Sequence, residues 1–146
     1  MPAVLCAVDD SAAAADAVRA AVEYCRDHDL DLGLVGVVRT PALDPPQPDA
    51  STRMLRFQQV KLGLSRAELE ARSAGVASAS WVRAGDAEHE LCRDGEELGA
   101  STLFLSERRP RILARITGAP RSAVRQISLQ PRSVQERRDA LRRAAA

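Results

Sequence analysis

Apolar residues near the start of the chain form two short continuous runs with a helical repeat between them. The run at residues 3–8 ends at Asp9, which is typical of a buried parallel strand. Over residues 12–27 the apolar positions recur every three or four residues and predict an amphipathic helix with Ser11 as its N-cap. The second run, at residues 30–38, completes a strand, helix, strand unit with parallel strands.

The same alternation continues through the middle of the chain. A proline-rich stretch at residues 41–49 predicts an exposed loop, and a long helix capped by Asp49 or Ser51 follows it to about Ser73. The pattern then predicts a strand at 76–83, a helix at 86–98 capped by Asp86 and ended by Gly99, and a strand at 101–105. Alternating strands and helices favour an α/β fold, a doubly wound parallel sheet in a three-layer sandwich.

The pattern weakens after Ser106, because Gly118 and Pro120 interrupt the apolar residues there. Four strands are therefore clear, and a fifth is predicted to be weak or missing. An Arg-rich amphipathic helix is predicted at the C-terminus. We expect one domain over residues 1–130 and a basic C-terminal helical extension over residues 131–146.

The 146 residues are enough for one hydrophobic core and too few for two. Hydrophobic residues make up 45% and charged residues 28%, without a long apolar run, which argues against disorder and against a membrane span. Cys6, Cys25 and Cys92 lack metal-ligand spacing, so we expect free thiols in a reducing compartment and no metal. Since the N-terminus lacks the features of a signal peptide, we predict a cytoplasmic protein.

The formal net charge of +1 hides a separation of charge along the chain. Residues 1–100 carry 17 acidic and 10 basic side chains, whereas residues 101–146 carry 11 arginines and only 3 acidic side chains. Electrostatic contacts with an acidic partner, or between the two parts of the chain, are therefore possible despite the balanced total.

Three segments of the chain resemble the universal stress protein family. Residues 4–11 look like the family's first strand and the Val-Asp-x-Ser at its end. Residues 85–87 and 96–101 are similar to its third helix and the entry to its fourth strand, and Gly118 takes the place of the last glycine of its phosphate loop. The resemblance covers about residues 3–127. It implies a flavodoxin-like α/β fold, frequent dimers and, in some branches, ATP binding.

The nucleotide-binding members carry Gly-x-x-Gly, nine residues and then Gly-Ser or Gly-Thr, since glycines let backbone N–H groups approach the phosphates. Counting back from Gly118 places Leu105 and Arg108 where the first two glycines belong and Ala119 where the hydroxyl belongs. Side chains at these positions would obstruct the backbone contact. The resemblance therefore implies a degenerate ATP-binding loop.

Two further positions match family contacts to the nucleotide. Asp9 matches the residue that faces the base and ribose, and Val38 matches the residue that offers backbone groups to the adenine. Together with Arg108, Gly118 and Ala119 they form a candidate degenerate nucleotide site. From the residues alone, Asp9 is more typical of a helix cap and Val38 of a core position than of a ligand site.

The family's fifth strand, a Pro followed by aliphatic residues that commonly make dimer contacts, matches residues 131–136. Here the span contains Arg132 and Glu136, whose burial would cost on the order of several kcal/mol each. We therefore expect this strand to be absent, displaced or at an exposed edge, which puts the usual dimer mode in question.

Two functional hypotheses follow. The first is a homodimeric binding or regulatory module without a bound cofactor. We expect no enzymatic activity, because His28 and His89 lack a nucleophile at triad-like spacing. The second is an ATP- or AMP-binding stress protein with an Arg-based phosphate site, although the Arg-rich loop is more typical of a solvated surface. Its candidate residues are Arg108, Arg109, Arg111 and Arg115.

The arginines of the terminal helix offer a separate set of contacts. One hypothesis is that they dock RNA, DNA or an acidic protein; the preferred one is that they fold against the acidic first hundred residues of the same chain or of a dimer partner. A phosphorylated small-molecule ligand is the hypothesis for the Arg-rich loop instead. Aromatic residues that could stack on bases are lacking beside the terminal arginines, so no sequence-specific nucleic acid is expected. No membrane partner is expected either.

Overall fold

A computed structural model of the protein describes residues 2–9, 11–39, 50–108 and 122–129, and residues 116 and 142 singly. Strands and helices alternate as the sequence predicts, with boundaries close to those expected. In chain order they are β1 (Val4–Val8), α1 (Ala14–His28), β2 (Leu32–Val38), α2 (Ala50–Ser73), β3 (Ser78–Ala84), α3 (Ala87–Leu98), β4 (Thr102–Arg108) and β5 (Ser122–Ser128).

The five strands form one sheet in the order β3-β2-β1-β4-β5. The central strand β1 pairs in parallel with β2 on one side and with β4 on the other, and β2 pairs in parallel with β3. Helices α1 and α2 pack on one face of the sheet and α3 packs on the other. This arrangement confirms the three-layer, doubly wound α/β fold, in which the winding direction reverses between β1 and β4.

Burial of both faces of the sheet explains why β1 and β2 are apolar throughout. Alternate side chains of β1 enter opposite layers. Val4 and Cys6 pack with α1 and α2, whereas Leu5 and Ala7 pack beneath α3. The first strand therefore belongs to both halves of the core.

The predicted cap of α3 is confirmed and that of α1 is wrong. The carboxylate of Asp86 accepts a hydrogen bond from the backbone N–H of His89 at 3.0 Å, as a side-chain cap does. Helix α1 instead begins after Ala13, which makes no side-chain cap. Ser11 lies two residues before this N-cap position, and its hydroxyl donates to Asp9.

A fifth strand is present, but at residues 122–128 and at an edge of the sheet rather than at residues 131–136, which match the family's fifth strand and lie outside the described residues. It pairs antiparallel with all of β4, so that Ser122 lies opposite Arg108, and it precedes residues 131–136 in the chain. The sheet is therefore mainly parallel, with an antiparallel strand at this edge. Val124 and Arg125 point to opposite faces of the sheet and are both exposed at this edge.

The predicted terminal helix, and with it the division into residues 1–130 and 131–146, lies outside the described residues apart from Arg142. In the described part of the chain, no helix combines the length and the apolar character needed to cross a membrane.

Candidate functional site

Strands β1 and β4 stop pairing before they end. In the described sheet their shared ladder runs from Val4 to Cys6 on one strand and from Thr102 to Phe104 on the other. The carboxyl ends of both strands extend beyond it, and Asp9 follows β1. Ligands of open α/β sheets bind at this kind of position, where the winding direction reverses. This edge is therefore the candidate ligand site.

Asp9 lies at the candidate site, and both of its carboxylate oxygens have partners within the protein. The residue is 9% exposed. One oxygen accepts hydrogen bonds from the backbone N–H of Ser11, at 2.9 Å, and from the Ser11 hydroxyl. The other lies 3.5 Å from the guanidinium of Arg39. The bond to the N–H two residues ahead is an Asx turn rather than a helix cap.

Val38 ends β2 at the same edge of the sheet. Its side chain is half-buried and packs against the core cluster that lies under α1 and α2. Its carbonyl oxygen accepts a hydrogen bond from the backbone N–H of Gly85 at 3.0 Å. Gly85 has a φ of 140°, which favours glycine, and it forms the turn that follows β3. The Val38 carbonyl thus holds the neighbouring turn in place.

Helix α2 passes close over the carboxyl end of β1. A Cβ atom at Gly63 would lie 3.2 Å from the Val8 side chain and 3.7 Å from the Asp9 carbonyl oxygen. Between α1 and α2 this leaves a cavity of about 140 Å³, whose lining includes Asp9, Ser11 and Arg66. Typical small-molecule pockets begin at about 300 Å³. The space beside Asp9 is therefore small for a nucleotide.

Leu105 and Arg108, the positions matched to the first two loop glycines, lie within β4. They pair with Arg125 and Ser122 of β5, and the Leu105 side chain is buried beneath α3. Gly118 and Ala119 lie outside the described residues. Of the candidate nucleotide site, the structure brings Asp9 and Val38 to the same edge of the sheet and places Arg108 at the end of a strand.

Two arginines that the sequence reading did not single out lie beside Val38. Arg39 and Arg56 line a cavity of about 210 Å³ together with Val37, Val38 and Val60. The signal that could have found Arg39 is its position directly after a buried strand, the same position that Asp9 occupies after β1. Two guanidinium groups on one cavity form a basic corner that suits an anionic group.

The three cysteines are free thiols, and two of them, Cys6 and Cys25, are buried. Burial raises the pKa of Cys6 far above its ordinary value and raises that of Cys25 to about 11. Burial also raises the pKa of the half-buried Cys92. Reactive thiols have lowered pKa values, so these three are unsuited to nucleophilic chemistry. Within the described residues, no group of His, Cys, Asp and Glu side chains has the arrangement of a metal site.

The fold and this site define a class, a doubly wound α/β domain with a candidate binding edge at the switch point of its sheet. The sequence model of the Universal stress protein family matches residues 1–128. The chain belongs to the universal stress protein family. A comparison with curated proteins gave no match.

Solved structures agree with this assignment. A universal stress protein family member from Burkholderia pseudomallei is 30% identical, with 68% of this chain and 76% of that chain covered and a TM-score of 0.53. The universal stress protein of Archaeoglobus fulgidus is 20% identical, covers 77% and 80%, and has a TM-score of 0.59. A universal stress protein in complex with cAMP is also 20% identical, covers 80% and 84%, and has a TM-score of 0.54. The two structures at 20% identity support the fold alone.

Proposed function

We propose that this chain is a non-catalytic binding or regulatory module of the universal stress protein family that works in the cytoplasm and does not bind ATP in the family manner. One observation carries the proposal: β4 continues as a strand through Arg108, paired with β5. In a strand, successive backbone N–H groups point in opposite directions, and those that face the neighbouring strand are committed to its ladder. A phosphate cradle requires consecutive N–H groups that point at the ligand.

The contacts of Asp9 support the same proposal. The Asp9 carboxylate already accepts three hydrogen bonds, two from Ser11 and one from Arg39, so about one of its four acceptor positions remains for a ribose hydroxyl. The cavity beside it, at about 140 Å³, is also smaller than typical small-molecule pockets.

We propose that the chain is not catalytic because its cysteine thiols have raised pKa values and because His28 is held by local contacts. The raised thiol pKa values disfavour thiolates. The His28 ring stacks on Tyr24 and its Nδ1 lies 2.9 Å from the Tyr24 carbonyl oxygen, so this histidine has a local structural role. Free thiols in the described chain are also compatible with a reducing cytoplasm.

A second candidate function is binding of ATP, AMP or another phosphorylated small molecule through arginine side chains. The observation that favours it is the basic corner, where Arg39 and Arg56 line one cavity at the end of β2. A family structure in complex with cAMP makes phosphorylated nucleotides the first compounds to test. Acidic groups of a protein partner would meet the same guanidinium groups.

Calorimetric titration of the purified protein with ATP, AMP and cAMP separates the two functions. We expect no heat of binding at sub-millimolar ligand, because β4 is an extended strand through Arg108 and the cavity beside Asp9 is small for a nucleotide. The family member that was solved with cAMP, titrated in parallel, serves as the positive control.

Variants identify the site if heat is observed. Loss of at least tenfold in affinity in R39A/R56A, with affinity retained in R53A on the exposed side of α2, would establish the second function. Nucleotide binding that neither variant changes would overturn both.

A further inference from the structure

Strand β3 forms an edge of the described sheet and carries few of the features that normally protect such an edge. It pairs with β2 in unbroken register over all seven residues, from Ser78 to Ala84. Edge strands are commonly protected by Lys, Pro, a bulge or a charged side chain. β3 contains no Lys, Pro or bulge, and its one charged residue, Arg83, binds Asp94 on α3. A further strand can therefore pair with its outer side.

An open groove runs between this edge and the C-terminal half of α2. Its volume is about 520 Å³, and its lining includes Glu68 and Arg72 from the helix and Ser78 and Ser80 from the strand. The Ser80 hydroxyl donates a hydrogen bond to the Glu68 carboxylate. Residues late in α2 thus lie beside residues early in β3, as in a helix that runs antiparallel to its strands.

The side of α2 that borders the groove carries four side chains that would match the same four side chains of a second, antiparallel α2 helix. In order this stripe reads Phe57, Lys61, Glu68 and Arg72, with spacings of four, seven and four residues. Phe57 is 38% exposed, and the Lys61 ammonium lies 5.5 Å from the centre of its ring. When two such helices meet antiparallel, Lys61 faces Glu68 and Phe57 faces Arg72. Both matches have their centre between residues 64 and 65.

The centre of the helix stripe coincides with the middle of the strand. From Glu68, beside Ser80, the centre is three and a half residues away, or about 5 Å along the helix. The same length covers about one and a half residues of strand. Counted from Ser80 toward the end of β3, it reaches a point between Trp81 and Val82. The middle residue of β3 is Trp81, so the centres of the helix stripe and of the strand agree to within about 2 Å.

The expected distance between the two α2 helices also fits a pair of copies joined at β3. Helix α2 packs on Gly36 of β2 through Val60 and Leu64 and reaches β3 through Glu68, so its axis lies over the gap between these strands. Two copies joined edge to edge would place their α2 axes about two strand spacings apart, or about 10 Å. Packed helices lie at about 8–10 Å.

We propose that this edge binds a second copy of the same chain. The two β3 strands pair antiparallel into a continuous ten-stranded sheet, and the two α2 helices lie side by side. Lys61 contacts Glu68 of the partner subunit, and Phe57 contacts Arg72 of the partner subunit. Each contact occurs twice, which is the property of an isologous two-fold interface. The proposal goes beyond the proposed function, because it does not depend on any ligand.

Light scattering after size exclusion, over a range of protein concentrations, tests the interface. The native chain is expected to be a dimer. K61E and E68K each place like charges opposite one another twice, so each is expected to raise the dimer dissociation constant at least tenfold. The double variant K61E/E68K restores opposite charges and should dimerise again. A mixture of the two single variants should form a heterodimer.

Three controls keep the result specific. S80A removes the bond between Ser80 and Glu68 within one chain and should leave the dimer intact. V124K adds a charge to β5, the opposite edge of the sheet, and should also leave it intact. Circular dichroism should show that all variants retain their helix content, because the substituted side chains of α2 lie at its surface.

A monomeric native chain would overturn the proposal. So would dimers of the K61E and E68K variants as tight as the native dimer, failure of the mixture to associate, or loss of the dimer in V124K.

Discussion

Asp94 is a charged side chain held almost completely inside the layer between the sheet and α3. It is 2% exposed, and it accepts hydrogen bonds from the indole N–H of Trp81 at 2.7 Å and from Nε of Arg83 at 3.2 Å. A buried charge is tolerated when it is paired and fully hydrogen-bonded. One carboxylate therefore ties α3 to the outer strand β3.

Removal of this carboxylate should be costly. We expect Asp94→Ala to lower the free energy of unfolding by about 2–3 kcal/mol, because it leaves the Trp81 and Arg83 donors without their acceptor. Asp94→Asn keeps an acceptor and should lose less. Urea unfolding followed by fluorescence measures both, since Trp81 is the single tryptophan. E97A, exposed on the same helix, is the control and should stay within about 0.5 kcal/mol of the native chain.

Single residues were predictable where their partners are close in sequence. Asp86 was identified as a cap because its acceptor role depends on a backbone N–H only three residues ahead. The bond between Asp9 and Arg39 joins residues thirty positions apart, and that between Trp81 and Asp94 joins residues thirteen apart. Such pairs arise from strand order and helix placement, so a local pattern does not reveal them.

At the scale of elements, the packing of α2 depends on a glycine in β2. A Cβ atom at Gly36 would lie 2.6 Å from Cδ1 of Leu64 and 2.9 Å from Cγ1 of Val60. Both distances are below van der Waals contact. The missing side chain at residue 36 therefore lets the helix lie close to the sheet.

A methyl group at this position should push the helix away. We expect Gly36→Ala to destabilise the protein by about 1–3 kcal/mol, the usual cost of overpacking a core. Thermal or urea unfolding gives the value. Because Leu64 is the nearest obstacle, the double variant G36A/L64A should lose less stability than the sum of the two single losses. Additive losses would contradict this account of the contact.

Four of the five strands were predictable, and the reason lies in their surroundings. β1 and β2 are covered on both faces, so their sequences are continuous apolar runs that stand out from the helices. In the described sheet β5 has a neighbour on one side only, and its half-exposed Arg125 binds Glu88 on α3. Its polar residues hide it from a search for apolar runs.

At the scale of the whole molecule, charge is separated between the first hundred residues, which are acidic, and the remainder, which is basic. Residues 131–146 contain five of the arginines and two acidic residues. Attraction between this segment and the acidic part of the same chain, or of a second copy, would stabilise the folded state and weaken as salt is added.

Deletion of residues 131–146 tests this attraction. We expect the melting temperature to fall by about 3 °C at low salt, which corresponds to roughly 1 kcal/mol for a chain of this size. The difference should shrink toward 1 M salt, where the screening length is about 3 Å. A full-length variant with Arg137, Arg138, Arg142 and Arg143 replaced by Gln should reproduce the effect. Unchanged melting in both variants would refute it.

The sequence predicted the fold more completely than the candidate site. Fold class and family follow from apolar periodicity and a few ordered motifs, which are properties of the chain itself. The site depends on whether backbone and carboxylate groups are already used, as with the Val38 carbonyl and the Asp9 carboxylate. It also depends on how closely Gly63 approaches β1. These are properties of the assembled molecule.

The central position of β1 has a consequence for synthesis of the protein. Its first neighbour, β2, leaves the ribosome soon after it, but the other neighbour, β4, begins only at Thr102. At about 5–20 residues per second, one side of β1 waits roughly 5–20 s for its partner. Throughout that interval an entirely apolar strand presents an open edge to other nascent chains. A member of a stress protein family would thus itself need chaperone protection while it is being made.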